Sequence, residues 1–165
     1  WVDTHKTRGL LFIEDKVQSG IINVDNPFHK GKKIAFEIVR ASGEQDAKFI
    51  NGQLTLIVKV NAIGSIGSQQ GKGDLFVPER IKKLNPKVEQ VIEENIKEVI
   101  KVAQNQYQSD FLDFAGIVHR KYLDYWRQIN GEEEWEQVFS HLPVKIEVNW
   151  KTRNTGLITS PIEAN

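Results

Sequence analysis

The stretch that decides the fold is NPKVEQVIEENIKEVIKVAQNQYQS, residues 85–109. Asn85 is predicted to be the N-cap of a helix and Pro86 its first residue, a position that needs no backbone N–H. At about 1.5 Å per residue the helix runs for roughly 35 Å. Its apolar residues recur at steps of three and four and therefore share one side, which needs a partner surface; they are Val88, Val91, Ile92, Ile96, Val99, Ile100, Ala103 and Tyr107.

Alternating stretches elsewhere predict the strands that supply this surface. Residues 33–41, 54–63 and 144–151 alternate apolar and polar side chains, and 21–24 form a shorter strand. The last stretch, VKIEVNWK, alternates most cleanly, which is typical of an antiparallel strand with one face in water. A polar connection ending in Asn51-Gly52 predicts an antiparallel pair with a longer loop. Residues 65–73, rich in Gly and Ser, are predicted to be the least ordered part.

Shorter helices are predicted at about 4–14, 110–123 and 132–140. Gly9 inside the first indicates close packing or a break, because glycine costs a helix about 1 kcal/mol relative to alanine. Since the elements do not alternate as βαβ units, we predict an α+β fold. It has a mostly antiparallel sheet of about four strands packed against one long helix, with shorter flanking helices. Residues 1–165 are expected to form a single domain.

Composition limits the classes of function. The formal net charge is zero, so the chain as a whole offers no electrostatic reason to bind nucleic acid. The absence of Cys excludes disulfides and thiolate metal sites. No apolar run exceeds the four residues 10–13, which is too short for a spanning helix or a signal peptide. Because the chain begins at Trp1 and contains no Met, we expect it to be a piece of a longer protein.

No motif predicts catalysis, a cofactor or a metal. Gly67 and Gly71 are four residues apart and Lys72 precedes another glycine, so the glycine-rich stretch departs from a phosphate-binding loop. The four histidines are not paired at the spacing of metal ligands on a helix face; they are His5, His29, His119 and His141.

Asp110 and Asp113 form a neighbouring carboxylate pair, which suggests general acid–base work. Asp110 is interpreted more simply as the cap of the helix that follows it. A hydrolase hypothesis needs Asp110 and a histidine within roughly 3 Å, or one water apart.

Aromatic residues crowd the segment 111–139. They predict a core where the short helices meet the sheet, or alternatively a surface that binds a partner, because large aromatics also anchor interfaces. The candidate interface or motif residues are Asp110, Phe111, Phe114, Tyr122, Trp126, Trp135 and Phe139.

This same segment carries a family resemblance. The runs QSDFLDFAGIVHRKYLDYWRQI, WEQVF and VKIEVNWKTRNTGLI, with the opening TRGLLFIEDKVQSG, resemble the C-terminal domain of the Ger(x)C family, the C subunits of GerA-type spore germinant receptors. The family's pattern resembles D-x-x-G-[FL]-G, followed by Lys-Tyr-Pro and a Trp. The chain matches it at Asp110, Phe114, Lys121, Tyr122 and Trp126.

The chain departs from that pattern at three positions. Asp113 and Ala115 stand at the two glycine positions, and Leu123 stands where proline is usual. The departures therefore leave the local turn geometry open.

The resemblance implies a non-enzymatic lipoprotein subunit with no catalytic residue or cofactor. It would be lipid-anchored through an N-terminal Cys outside this segment, on the outer face of the spore inner membrane, with this segment itself soluble. The implied partners are the receptor's membrane subunits A and B, with which it senses nutrients during germination. Our leading hypothesis is a protein-interaction domain. The alternative is a nutrient sensor with a small-molecule pocket between the sheet and the long helix.

Overall fold

A computed structural model describes residues 4–70, 75 and 77–153. It confirms the α+β architecture, with one long helix and shorter flanking helices around a four-stranded sheet. The elements in chain order are α1 (Thr4–Ile13), β1 (Gly20–Asp25), β2 (Lys33–Ile50), β3 (Gln53–Gln69), α2 (Pro78–Lys101), α3 (Phe114–Lys121), α4 (Leu123–Gln128), α5 (Gly131–Phe139) and β4 (Val144–Thr152). A π-helical segment, Val102–Tyr107, continues α2.

The sheet has the strand order β1-β2-β3-β4. The pairs β1–β2 and β2–β3 are antiparallel, but β4 runs parallel to β3. The predicted antiparallel direction of β4 is therefore wrong. Alternation reports only that one face is buried, and it carries no information on strand direction.

The β2–β3 hairpin is longer than its sequence pattern indicated. Ile50 pairs with Gln53 across a two-residue turn, so the predicted long loop is wrong. Asn51 and Gly52 occupy this turn with φ values of +49° and +80°, as a tight hairpin turn requires. Residues 42–46 are half-buried or exposed, so they lack the apolar period that marks a strand.

The end of β3 also differs from the prediction. Residues 65–69 belong to the strand rather than to a poorly ordered stretch. Residues 71–73 of that predicted stretch, with the glycine-rich motif, lie outside the described residues.

The long helix starts earlier than predicted. Pro78 lies in its first turn, after the extended residue Val77, so the rule that places proline at a helix start applies here and not at Pro86. Pro86 lies inside the helix, and Asn85 is not the N-cap. Instead, Asn85 Oδ1 accepts a 2.7 Å hydrogen bond from Thr152 Oγ1 at the end of β4. This contact between α2 and β4 lies at the position where the sequence predicted that the helix begins.

The predicted apolar side of α2 forms the centre of the core. Val88, Ile92 and Ile96 are fully buried, together with Phe36 on the facing side of the sheet. Phe36 also meets Trp150 of β4 edge-to-face, with ring centroids 5.9 Å apart. Burying each such large side chain contributes about 1.5–3 kcal/mol. The packing of the long helix against the sheet is the main apolar interface of the fold.

Helix α1 packs closely on α2 at Gly9. A Cβ added to Gly9 would lie 2.2 Å from the carbonyl oxygen of Asn95, so the close-packing interpretation of this glycine is correct. The helix is continuous through it. None of the helices in the described ranges is long and apolar enough to cross a membrane.

Candidate functional site

The residues singled out from sequence gather in the three-helix segment, which we define as residues 110–139 with α3, α4 and α5. Asp110 organises it. Its Oδ1 accepts a hydrogen bond from the Phe114 amide (3.1 Å), and its Oδ2 accepts from the Ala115 amide (2.6 Å) and from Trp135 Nε1 (2.8 Å). One carboxylate thus caps α3, as predicted, and joins α3 to α5.

The environment of Asp110 shifts its acidity. Burial of the carboxylate raises the pKa of Asp110 above its usual range, against the hydrogen bonds from Trp135, Ala115 and Phe114, while the nearby Glu136 raises it further. The hydrogen-bond partners of this carboxylate are backbone amides and an indole, and no histidine of the described chain is among them. The arrangement serves to position helices, and the hydrolase hypothesis gains no support from it.

The turn before α3 contains the first departure from the family pattern. Asp113 has φ +63° and ψ 33°, the left-handed conformation that favours glycine. Ala115 lies inside α3, and Leu123 is the first residue of α4, where proline is well tolerated. At each of the three departures, the observed backbone conformation accommodates the residue that this chain has.

Polar contacts attach the three-helix segment to the far end of the β2–β3 hairpin. Lys121 Nζ lies 2.6 Å from Asp46 Oδ1 and donates to the Ala47 carbonyl oxygen at 3.0 Å. The Tyr122 hydroxyl donates to the same carbonyl at 3.1 Å. Burial of Asp46 raises its pKa, but the hydrogen bond from Lys121 and the charges of Lys121 and Lys48 outweigh burial and leave the pKa lowered. The Lys-Tyr pair of the family pattern thus attaches two parts of the fold.

Aromatic contacts complete this attachment. Phe49, near the tip of the hairpin, meets Tyr122 and Tyr125 edge-to-face, with ring centroids 5.0 and 5.4 Å apart. Gln45 Nε2 donates to the Leu112 carbonyl oxygen at 2.7 Å. These partners lie more than 60 residues apart in sequence, so local pattern alone did not reveal them.

The two tryptophans of the candidate set lie inside the segment. Trp126 and Trp135 are 7% and 5% exposed, and their rings are 5.3 Å apart. Gly131 fits beneath Trp126, because an added Cβ would lie 2.3 Å from its ring. Phe114 and Phe139 are fully buried and stack at 6.3 Å. For these four aromatics the structure agrees with the core interpretation.

The remaining candidates lie nearer the surface. Tyr122 is half-buried against the hairpin, and Phe111 is 44% exposed. Phe111 contacts Tyr107, which is 64% exposed, with ring centroids 6.3 Å apart. We call Tyr107 and Phe111 the exposed aromatic pair.

The helical period wrongly assigned Tyr107 to the buried side of the long helix. The chain becomes π-helical from Val102, and the wider turn changes the direction of each later side chain. No feature recognised in the sequence marked this change. The surface exposure of Tyr107 is therefore a feature that only the structure revealed.

No metal centre forms from the described residues, which contain no cluster of three His, Asp or Glu side chains suited to an ion. His119 lies beside Trp126 at 5.2 Å, and His141 contacts Ser140 and the Gln137 carbonyl oxygen. The side chain of His5 lies outside the described residues.

Two grooves lie at the margins of the sheet. One, of about 520 Å³, lies between the end of α2 and the start of β4. The other, of about 270 Å³, lies between β1 and the middle of α2. Between them, the sheet-facing side chains of α2 are fully buried. The nutrient pocket expected between the sheet and the long helix stays a prediction, and the two marginal grooves are openings of this interface in the described part of the chain.

Comparisons with known proteins give the family. The model of the family described as "Spore germination B3/ GerAC like, C-terminal" matches residues 1–156. Spore germination protein B3 of Bacillus subtilis (strain 168) is 22% identical over 159 residues, 96% of this chain and 41% of that protein.

The fold is similar to a solved structure. The crystal structure of the GerBC protein superposes with a TM-score of 0.78 at 22% identity, covering 93% of this chain and 46% of that one. The chain therefore spans less than half the length of both proteins. These findings confirm the Ger(x)C resemblance: the chain belongs to the spore germination B3/GerAC-like family and corresponds to its C-terminal domain.

Proposed function

We propose that this chain is an interaction domain of a spore germinant receptor C subunit and acts without catalysis. In this proposal the whole protein is lipid-anchored at the spore inner membrane and binds the membrane subunits A and B. Family membership supports the assignment to germination. The network around Asp110 supports the absence of catalysis, because its polar groups are used to hold helices together.

The single observation that carries an interaction role is the exposed aromatic pair. Tyr107 and Phe111 present large apolar rings to solvent at the junction between α2 and the three-helix segment. Their backbone is held locally, since the Ser109 amide donates to the Ala103 carbonyl oxygen at 3.0 Å and Asp110 caps α3. Rigid, exposed aromatics of this kind anchor protein interfaces.

Replacing both rings tests the proposal. Spores that carry Tyr107→Ser together with Phe111→Ser should respond poorly to nutrient and assemble less receptor, while the purified double variant keeps its circular dichroism spectrum and melting temperature. The matched control replaces another exposed apolar pair, Ile21→Thr with Val39→Thr, on β1 and β2 (51% and 48% exposed). Normal germination of spores with a well-folded Tyr107/Phe111 variant contradicts the proposal.

A further inference from the structure

β4 lies at the edge of the sheet, and no other strand of the described residues pairs with its outer side. The Leu56 amide donates to the Pro143 carbonyl oxygen (2.9 Å), and ten residues later the Arg153 amide donates to the Gly64 carbonyl oxygen (2.7 Å). In a parallel ladder alternate residues turn their backbone groups toward the neighbouring strand. The odd-numbered residues of β4 therefore bond to β3, and the even-numbered residues turn outward.

Helix α2 covers only the second half of this outer edge. The outward amide of Trp150 donates to Glu89 Oε1 at 2.9 Å, and Thr152 Oγ1 donates to Asn85 Oδ1 at 2.7 Å. Side chains from the first half of α2 thus occupy the edge from residue 150 onward. A helix that covers a strand edge prevents further strands from pairing there.

The first half of the edge is open. Val144, Ile146 and Val148 turn their amides and carbonyls outward, and no donor or acceptor within the described ranges pairs with them. An open edge of this kind is a template for one more strand. Side chains along this part of β4 alternate between half-buried and exposed, and those of the three outward-bonding residues are the half-buried ones. This alternation is that of a regular, extended strand.

A groove runs beside this open half. We call it the β4 groove: it measures about 520 Å³ and lies between β4 and the end of α2 with its π-helical continuation. Ile100, Leu142 and Ile146 give it apolar walls. Gln104 closes one end by donating to the Phe139 and Leu142 carbonyl oxygens at 2.9 and 2.8 Å. π-Helical turns occur frequently at functional sites.

The charge of the groove favours an acidic occupant. Its lining contains Lys97, Lys101 and Lys145 against the single carboxylate of Glu93. Lys97 is already paired with Glu93 at 2.6 Å and Lys145 with Glu147 at 2.8 Å, so the excess positive charge of the groove is that of Lys101. Because the whole chain has no net charge, this positive excess is a local property of the groove.

We propose that the β4 groove binds an extended, acidic peptide segment of a partner protein, which adds to the sheet as a fifth strand beside Val144, Ile146 and Val148. Its backbone pairs with the open half of β4, its apolar residues contact Ile100 and Ile146, and its carboxylates face the lysines. Strand addition in a groove between a sheet edge and a helix is a recurring mode of peptide recognition. The proposal does not depend on the exposed aromatic pair or on the receptor assignment.

Peptide titration of the purified chain tests it. The probe is an end-blocked octapeptide that alternates Val and Glu, and amide NMR shifts of the labelled chain report the site. Saturable shifts at Val144, Ile146 and Val148 are expected. An otherwise identical peptide with Lys in place of Glu should bind at least fivefold more weakly. A peptide N-methylated at alternate residues should lose binding, because it keeps the side chains but cannot pair as a strand. Equal binding of all three peptides, or none, overturns the proposal.

Variants of the chain locate the contact. Lys101→Glu should weaken the Val-Glu peptide about two- to fivefold, the range of an exposed ion pair, while Lys82→Glu on the same helix should leave it unchanged. Ile146→Pro removes an outward amide without touching the ladder to β3, as edge strands allow, and should abolish strand pairing. Undiminished binding by a folded Ile146→Pro variant contradicts strand addition. A concentration-dependent dimer that shields the same amides assigns the edge to a second copy and overturns the proposal.

Discussion

The two parts of this molecule share one apolar core, but they differ in the specific polar bonds that are added to it. In the sheet body, which comprises the four strands with α1 and α2, apolar side chains such as Ile92 and Phe36 make the main contacts. The three-helix segment also has an aromatic interior, but Lys121 and Tyr122 attach it to the hairpin through polar bonds to Asp46 and Ala47. Apolar burial is nonspecific, whereas the polar bonds require defined partners.

The residues that match the family pattern lie in the three-helix segment and make its specific polar bonds. Asp110 caps one helix and binds the indole of another, and Lys121 and Tyr122 reach the hairpin. Each role needs one residue type, while the body accepts many apolar residues of suitable volume. The motif residues therefore have a structural role: they hold the surrounding elements in position.

The largest expected effect is in the sheet body. Ile92→Ala removes a fully buried side chain and should lower the free energy of unfolding by about 2–5 kcal/mol, because it leaves a cavity. Urea denaturation measures this loss. The control Glu98→Ala, exposed on the same helix, should stay within about 0.5 kcal/mol of the parent. A small effect at Ile92 argues against a tightly packed body.

Overpacking the three-helix segment should have a smaller effect. Gly131→Ala drives a Cβ to 2.3 Å from the Trp126 ring and should cost about 1–3 kcal/mol. Tryptophan fluorescence should change with it. In the same segment, a Cβ at Gly116→Ala meets side-chain ends, Arg120 Nη1 at 3.0 Å and Asp113 Oδ1 at 3.1 Å, and alanine favours helix, so this control should be neutral or stabilising. Equal losses in both variants contradict the packing described here.

Restoring the family's glycine should strengthen the segment slightly. Asp113→Gly relieves a left-handed residue at φ +63° and should stabilise the protein by about 0.5–1 kcal/mol. Ala115→Gly, at the other glycine position, should destabilise by up to about 1 kcal/mol because it lies in the first turn of α3. Thermal melts of the two variants should therefore shift in opposite directions. Shifts of the same sign contradict the conformational explanation.

The pH dependence of stability should distinguish the two carboxylates. The lowered pKa of Asp46 means that its contribution is present above its unfolded pKa and is lost as pH falls through the folded value. The raised pKa of Asp110 acts oppositely: its contribution is present at acid pH and is lost as pH rises through the folded value.

Replacing each carboxylate in turn separates these effects. Asp46→Asn should remove stability at neutral pH, by less than about 1 kcal/mol, and progressively less as pH falls below the unfolded pKa of the carboxylate. Asp110→Asn should reduce the loss of stability that the parent protein shows as pH rises from 3 to 7. Denaturation from pH 3 to pH 7 measures both slopes. Slopes of the same sign at both positions contradict the assigned environments.

Some features followed from sequence because their causes are local. The apolar side of the long helix, the alternation of β4 and the capping role of Asp110 depend on neighbours within a few positions. The aromatic cluster at 111–139 could likewise be recognised as a structural centre from its composition alone.

Other features depend on partners far along the chain. Asn85 and Pro86 resemble a helix start, yet contacts with β4 hold them inside α2. The direction of β4 depends on the path of the preceding helices, which alternation does not encode. The exposure of Tyr107 follows from a π-helical turn. Some of the site residues build the core and others lie at the surface. Which role each one has depends on partners far away in the sequence.

Amide hydrogen exchange of the parent protein and of a Lys121→Ala/Tyr122→Phe double variant, which loses the polar bonds to Asp46 and Ala47, tests the central claim most directly. If the motif attaches the three-helix segment to the hairpin, exchange should accelerate in α3, α4, α5 and residues 45–55, while amides in the centre of β3 and in α2 keep their protection. Unchanged protection in the three-helix segment, or an equal loss throughout the chain, would contradict the account.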